Sequence, residues 1–347
     1  MIFPLFLMAA IWFGGGYLKA PRSLRGLLIF CIYVVGLLAH FALPEGNAMR
    51  GYFGQVWGEW ALVGILIGSV FGFQRWILWL RHKVAKNAET LGPNAIFRDV
   101  EIDRYSRHIF LREIGGAGQK RLRDAKVLVI GAGGLGAPVL QYLAAAGVGT
   151  IGIVDDDVVD NSNLQRQVIH KDASIDMPKV FSAEQELRAQ NPFVEIRPYF
   201  RRLDREGAVE LFAEYDVIMD GTDNFETRYM VNEVAVLLRK PLISAAMTQW
   251  EGQISIYDPA RGGPCYQCVF PEIPAPGLVP NCAEAGVVGP LPGIIGSLMA
   301  LEAVKDITGA GEGLRGQLLM YDGLYAQARK ISVKRRKDCP ICGENSH

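Results

Sequence analysis

A chain of 347 residues that is 50% hydrophobic, 21% charged and carries 39 glycines is too long and too apolar for a disordered tail or a small disulfide scaffold. Its 36 lysines and arginines balance 36 aspartates and glutamates, which argues against a nucleic-acid binder held by a general basic field. The balance is uneven along the chain: residues 1–86 hold eight basic and two acidic side chains, leaving 28 and 34 for the remainder.

Residues 1–86 read as a membrane region with three helical spans. Met1–Leu18, Gly26–Leu43 and Trp60–Leu80 are nearly free of formal charge, and each approaches the roughly 20 residues that cross a hydrocarbon core. Arg75 is the exception, close enough to the end of the third run for its head to reach the interface. The apolar start Met1-Ile2-Phe3-Pro4 lacks the basic region of a cleaved secretory signal. Cationic connectors at Lys19–Arg25 and Arg81–Lys86 flank a nearly neutral one, which predicts a multi-pass protein of the inner (cell) membrane with a cytoplasmic domain behind the third span. Residues 87–100 read as a linker.

From residue 101 to 347 the composition is that of a globular domain. A polar, helix-forming stretch runs from Glu101 to Asp124, broken at Gly115-Gly116. Strands and helices then alternate, beginning with Val127–Ile130, and that order predicts an α/β fold: a Rossmann-like sheet, parallel at its nucleotide-binding half. The first strand leads into Gly131-Ala-Gly133-Gly134-Leu-Gly136, then a helix over 137–146, then a second strand, Thr150–Val154, ending at Asp155. Glycines let the backbone turn close to a ligand, a helix N-terminus offers unpaired N–H groups, and an acidic residue about twenty positions on takes ribose hydroxyls. The signal is for a nucleotide, with NAD as the default.

The segment after Asp155 departs from a dehydrogenase. It is a dense polar loop carrying Asn163 and Arg166, followed by a helix that opens with Pro178-Lys179. Lysine in a first helical turn is opposed by the helix dipole unless something anionic sits nearby, and an arginine and a lysine converging beside a nucleotide suit a reaction at phosphorus. Tyr215–Asp220 reads as a strand entering Gly221-Thr222-Asp223-Asn224, which places Asp223 at the ligand edge of the sheet. A carboxylate there suits Mg²⁺ bridging ATP phosphates; the same Thr-Asp-Asn also suits the N-cap of a helix over 225–239. Cys265-Tyr-Gln-Cys268 and Cys339-Pro-Ile-Cys342 together offer four thiolates for a structural Zn²⁺, with two redox pairs as the alternative.

These segments, with Arg104-Tyr-Ser-Arg107, Gln249-Trp-Glu-Gly-Gln253 and Cys282-Ala-Glu-Ala-Gly286, resemble in order the signatures of the MoeB/ThiF/HesA group, bacterial relatives of ubiquitin-activating enzymes, over residues 101–343. The resemblance is greatest to the MoeB branch. It implies an adenylyltransferase that activates, with ATP, the C-terminal glycine carboxylate of a ubiquitin-like sulfur carrier protein (MoaD-like, or ThiS-like for the thiamine pathway), releasing pyrophosphate for molybdenum cofactor biosynthesis. It further implies that Asp155 holds the ribose, that Asn163, Arg166 and Lys179 hold the phosphates, and that Asp223, beside Asn224, holds Mg²⁺. Arg107 would reach into the ATP site of a homodimeric partner, and Cys282 is either a covalent sulfur-transfer residue or a bystander. The membrane spans have no counterpart in the resemblance. A non-enzymatic or NAD-binding membrane protein would share the glycine turn and Asp155 but have no use for Arg166, Lys179 and Asp223 together.

Overall fold

The computed structural model describes residues 2–17, 20–44, 47–53, parts of 58–79, 97–273 and 286–344. It divides into two compact units, Met1–Ala95 and Ile96–His347. In the first, helices α1 (Ile2–Tyr17), α2 (Arg22–Ala42) and α3 (Ala48–Phe53) follow one another. Arg25 of α2 donates to the carbonyl of Trp12 (3.0 Å) and lies over its ring, tying α2 to α1.

The expectation of three spans is narrowed by this unit. Among the described residues one helix is long and apolar enough to cross a membrane, Leu24–Ala42, at 19 residues and mean hydropathy 2.0. The Met1–Leu18 run forms a helix of only 16 residues, ending at Gly14-Gly15-Gly16-Tyr17, and at about 1.5 Å per residue it falls short of a hydrocarbon core roughly 30 Å thick. Trp60–Leu80 is described only in part, and most of the 87–100 linker lies outside the described residues.

The second unit opens with two helices, α4 (Asp99–Ile109) and α5 (Gly115–Asp124); the break falls at Phe110–Ile114, just ahead of the Gly115-Gly116 expected to make it, and those glycines instead open α5. An eight-stranded sheet follows, in the order β3-β2-β1-β4-β5-β6-β7-β8. Strands β1 (Lys126–Ile130), β2 (Thr150–Asp155), β3 (Glu195–Phe200), β4 (Val217–Asp220) and β5 (Leu242–Thr248) run parallel to one another. The antiparallel extension is β6 (Glu251–Tyr257), β7 (Gln317–Asp322) and β8 (Gln327–Ser332). The inner parallel strands β1, β2 and β4 read as near-continuous apolar runs because crossover helices cover both faces, while β3, at the edge, is only partly buried. On one face α6 (Gly136–Ala146), α7 (Lys179–Gln190) and α11 (Pro290–Thr308) bury Leu140, Leu143, Leu187 and Ile295 against the sheet; on the other, α8 (Arg205–Ala213) and α9 (Phe225–Leu237) bury Phe212 and Val231, joined there by Tyr215 from the turn after α8.

Two boundaries differ from expectation. β4 starts at Val217 because Tyr215 leaves the ladder to fill the space over Gly152, where a Cβ would strike its ring. The helix from Phe225 ends at Leu237: Arg239 turns left-handed (φ 56°) ahead of Pro241, which cannot continue a helix.

Candidate active site

From β1 the chain steps outward through β2 to β3, then returns to place β4 on the other side of β1. At such a switch point the connections leave in opposite directions, opening a crevice beyond the carboxyl ends of the strands. A cavity of about 550 Å³ lies there, within the range of small-molecule sites. Gly131 leaves β1 with φ 92°, a conformation that suits glycine, and its N–H donates to the Val154 carbonyl (2.8 Å). The turn is held from beneath by His170, which is buried: Nε2 donates to the Ala132 carbonyl (2.9 Å) while Nδ1 accepts from the Ser182 hydroxyl (2.9 Å). Burial lowers the His170 pKa, keeping the ring neutral as this two-sided geometry requires.

Asp155 ends β2 and braces the same turn. Its carboxylate accepts the N–H of Ala132 (2.7 Å) and of Asp157 (2.8 Å). Burial raises its pKa despite Lys179 nearby and the two N–H donors. The anion anticipated beside Lys179 is Asp157, at 2.7 Å from a lysine whose side chain is only 6% exposed. Asp155, Asp156 and Asp157 form a cluster geometrically able to hold a cation, with the Lys179 ammonium already against it. Arg166 is fixed by Asn163, whose Oδ1 accepts from it at 2.7 Å, and by the Ser162 carbonyl at 3.1 Å.

Across the cavity, β4 delivers Gly221–Asn224. The buried Asp220 organises this turn: one oxygen accepts from the Thr222 N–H (3.0 Å) and hydroxyl (2.6 Å), the other from the Ser244 hydroxyl (2.9 Å). Arg228, also buried, lies 3.8 Å from the Asp220 carboxylate and donates to the Thr222 carbonyl. Asp223 is left exposed on the cavity wall, and Asn224 is the N-cap of α9, accepting the Thr227 N–H at 2.8 Å.

The structure therefore brings Gly131, Gly133, Gly134 and Asp155 to one wall, Arg166 and Lys179 beside them, and Asp223 and Asn224 opposite. Asn163 acts through Arg166, and Gly136 is a packing residue, since a Cβ there would overlap the Gly131 carbonyl. Arg107 is not brought to the cavity of its own chain. Tyr105 packs under Gly147 and accepts from Asn191 (2.8 Å), so this helix sits where α6 and α7 end and β2 and β3 begin. Strands of six residues put that edge about 20 Å from the cavity edge, beyond the reach of an arginine two positions on. Cys282 lies outside the described residues. Sequence reading missed His170, Asp220 and Arg228, which work behind the turns, and Arg201 and Arg202, which line the cavity after β3. The one available signal was position, since Asp220 and Arg201 stand at the ends of parallel strands.

The two Cys-x-x-Cys pairs meet, 74 residues apart in sequence. Sulfur–sulfur distances are 3.8 Å for Cys265–Cys268, 3.6 Å for Cys265–Cys339 and 3.4 Å for Cys268–Cys342, and all four residues are buried. Four ligands about 2.3 Å from a tetrahedral centre lie close to 3.8 Å apart, so the cluster can hold a metal ion. Burial, with the neighbouring sulfurs adding to it, pushes the Cys265 thiol up, and burial lifts Cys342 to about 11, whereas at Cys339 burial is outweighed by hydrogen bonds from the Cys342 and Ile341 backbone, which lower it.

The ThiF family model matches residues 105–341. A sulfur carrier protein adenylyltransferase of Thermus thermophilus is 50% identical over 248 residues, which is 70% of this chain and 92% of that protein. A probable adenylyltransferase/sulfurtransferase, MoeZ, of Mycobacterium tuberculosis is 52% identical over 251 residues, 72% of this chain and 64% of its own length. Among solved structures, E. coli MccB with MccA-N7isoASN superposes with a TM-score of 0.62 at 23% identity, covering 70% of this chain and 75% of that one, which is a likeness of fold.

Proposed function

The chain belongs to the ThiF family, and on that premise we infer that it is an adenylyltransferase that activates the C-terminal glycine carboxylate of a ubiquitin-like sulfur carrier protein with ATP. The carrier is MoaD-like, which assigns the reaction to molybdenum cofactor biosynthesis; a ThiS-like carrier would use the same residues. The observation that carries the reading is the convergence of Arg166 and Lys179 on a glycine turn and a helix N-terminus, with Asp223 facing them across one cavity. Hydride transfer has no use for that set of charges. Transfer of a nucleotidyl group does, because charge accumulates on phosphoryl oxygens.

The carrier carboxylate, ionised at neutral pH, attacks the α-phosphorus in line; a P–O bond forms to the acyl oxygen, the bond to the β-phosphate breaks, and pyrophosphate leaves with its electron pair. No general base is needed. Arg166, aimed by Asn163, and Lys179 neutralise the phosphates, and Lys179 exchanges Asp157 for a phosphate oxygen as the site fills. Asp155 takes the ribose with the lone pairs left by Ala132 and Asp157. The exposed Asp223 carboxylate suits Mg²⁺, which when bound would offset charge on the departing pyrophosphate. The four-cysteine cluster suits a structural Zn²⁺ that fastens the C-terminal loop to α10 (Tyr266–Val269). Arg107 serves the ATP site of a second copy, which makes the enzyme a homodimer, and the helix Leu24–Ala42 attaches it to the membrane.

The test is to mix the purified chain with ATP and candidate carriers and weigh each carrier for added AMP. Arg166→Ala, Lys179→Ala and Asp223→Ala should each lower the rate on the order of 10²–10³. Wild-type turnover in any of them refutes that residue's role, and no AMP adduct on any carrier refutes the reading.

A further inference from the structure

The phosphate end of the cavity is well supplied with charge, yet two more cations stand at the far end. In the order β3-β2-β1-β4, the glycine turn follows β1, Asp155 ends β2, and Arg201-Arg202-Leu203 follows β3. Adjacent strands lie about 4.8 Å apart, close to the step from phosphate to ribose to base, so a nucleotide with its phosphates at β1 and its ribose at β2 has its base beside the segment after β3. Arg201, Arg202 and Leu203 all line that part of the cavity, and Leu203 is 9% exposed, an apolar floor. Among the described residues no carboxylate lies within ion-pair distance of Arg201; its guanidinium is 5.9 Å from the centre of the Tyr199 ring. Among the described residues Arg202 has one ion-pair partner, Glu226, at 3.8 Å, with the two side chains 77% and 88% exposed, a pair too solvated to hold it. Thr222–Phe225 forms the wall opposite.

A guanidinium is planar, stacks on aromatic rings and donates in a fixed fork, whereas an ammonium is a point charge. Bases are bound through stacking on such planes and through their ring acceptors. We propose that Arg201 and Arg202 clasp the nucleobase at the β3 end of the cavity and set the affinity for it. The assignment rests on the adenylyltransferase reading above and adds the base-binding residues to it.

The experiment titrates the full chain in detergent with two probes, ATP with magnesium and inorganic tripolyphosphate, which lacks sugar and base. The Arg201→Ala/Arg202→Ala double variant should weaken ATP binding about tenfold or more, from loss of a stacked base, and leave tripolyphosphate binding unchanged. Lysine at both positions restores charge without the plane and should not recover ATP affinity. Both positions are exposed, so folding is not at stake, and the melting temperature checks it. Equal loss for both probes, full recovery by lysine, or unchanged ATP affinity in the alanine variant each overturns the assignment. Failure of the underlying reading shows separately, as a wild-type chain that binds no ATP, and removes this assignment with it.

Discussion

Gly133→Ala and Gly136→Ala should separate the two duties of the glycine turn. At Gly136 the added Cβ would lie 1.9 Å from the Gly131 carbonyl oxygen, with the Gly131 carbonyl carbon at 2.8 Å. Ordinary contact begins near 3.5 Å, so backbone must move by on the order of 1.5 Å, and neither the turn nor the start of α6 can move without disturbing β1. Overpacking of this kind costs about 1–3 kcal/mol, which for a unit of this size is a fall in melting temperature of roughly 3–10 °C. At Gly133 the nearest atom to a new Cβ is Nε2 of Gln167 at 3.6 Å, an ordinary contact, and its φ is not in the left-handed region. The chain itself accepts alanine there. The space the methyl takes is on the cavity wall, where phosphate is proposed to approach the backbone. Gly133→Ala should melt within about 1–2 °C of the wild type, a shift of roughly 0.5 kcal/mol, while ATP affinity falls by at least about tenfold. Thermal melting of the ligand-free variants and calorimetric titration with ATP provide the two readouts. Undiminished ATP affinity in Gly133→Ala would refute the placement of the nucleotide, and an unshifted melt in Gly136→Ala would refute the packing argument.

Burial depresses the His170 pKa in the folded chain, so the stability it contributes is present above the ordinary imidazole value near 6.5 and is lost as pH falls through the lower folded value. The gap in melting temperature between wild type and His170→Gln should therefore shrink on acidification below pH 6.5, and a constant gap would contradict it. Elemental analysis should find one zinc per chain, and Cys265→Ser or Cys342→Ser should lower both metal content and melting temperature; a metal-free wild type of equal stability would show the cysteines to be plain core residues. Mixed dimers of Arg107→Ala with Lys179→Ala should recover up to about half of wild-type adenylation, because one site then combines Lys179 from one chain with Arg107 from the other. Activity no higher than in either parental homodimer would place Arg107 outside the partner's site.

What the sequence by itself determined is what short-range chemistry controls. The run Val127–Ile130, the glycines after it, the apolar helix and the acid ending the next strand form one contiguous unit, Val127–Asp155, and each part constrains the backbone where it stands. Lys179 at the head of its helix was legible for the same reason, since a cation there demands a nearby anion; which anion was not, and the fold supplied Asp157. Each cysteine pair was visible as a pair, but their meeting depends on the C-terminal loop returning across 74 residues to α10. The tertiary structure alone decided the supporting groups. His170 reaches a carbonyl 38 residues away, Ser244 reaches Asp220 across 24, and Arg201 and Arg202 matter because β3 lies beside β2 at the sheet's cavity edge. The hydrogen-bonded pairs carry no residue pattern of their own, because a buried hydrogen bond between distant residues leaves the residues around each partner free to vary, and Asp220 and Arg201 offer only their place at the ends of parallel strands. The same physics leaves Arg107 unplaced within one chain: its helix is anchored by Tyr105 at the opposite edge of the sheet, and six-residue strands are too long for a side chain to bridge.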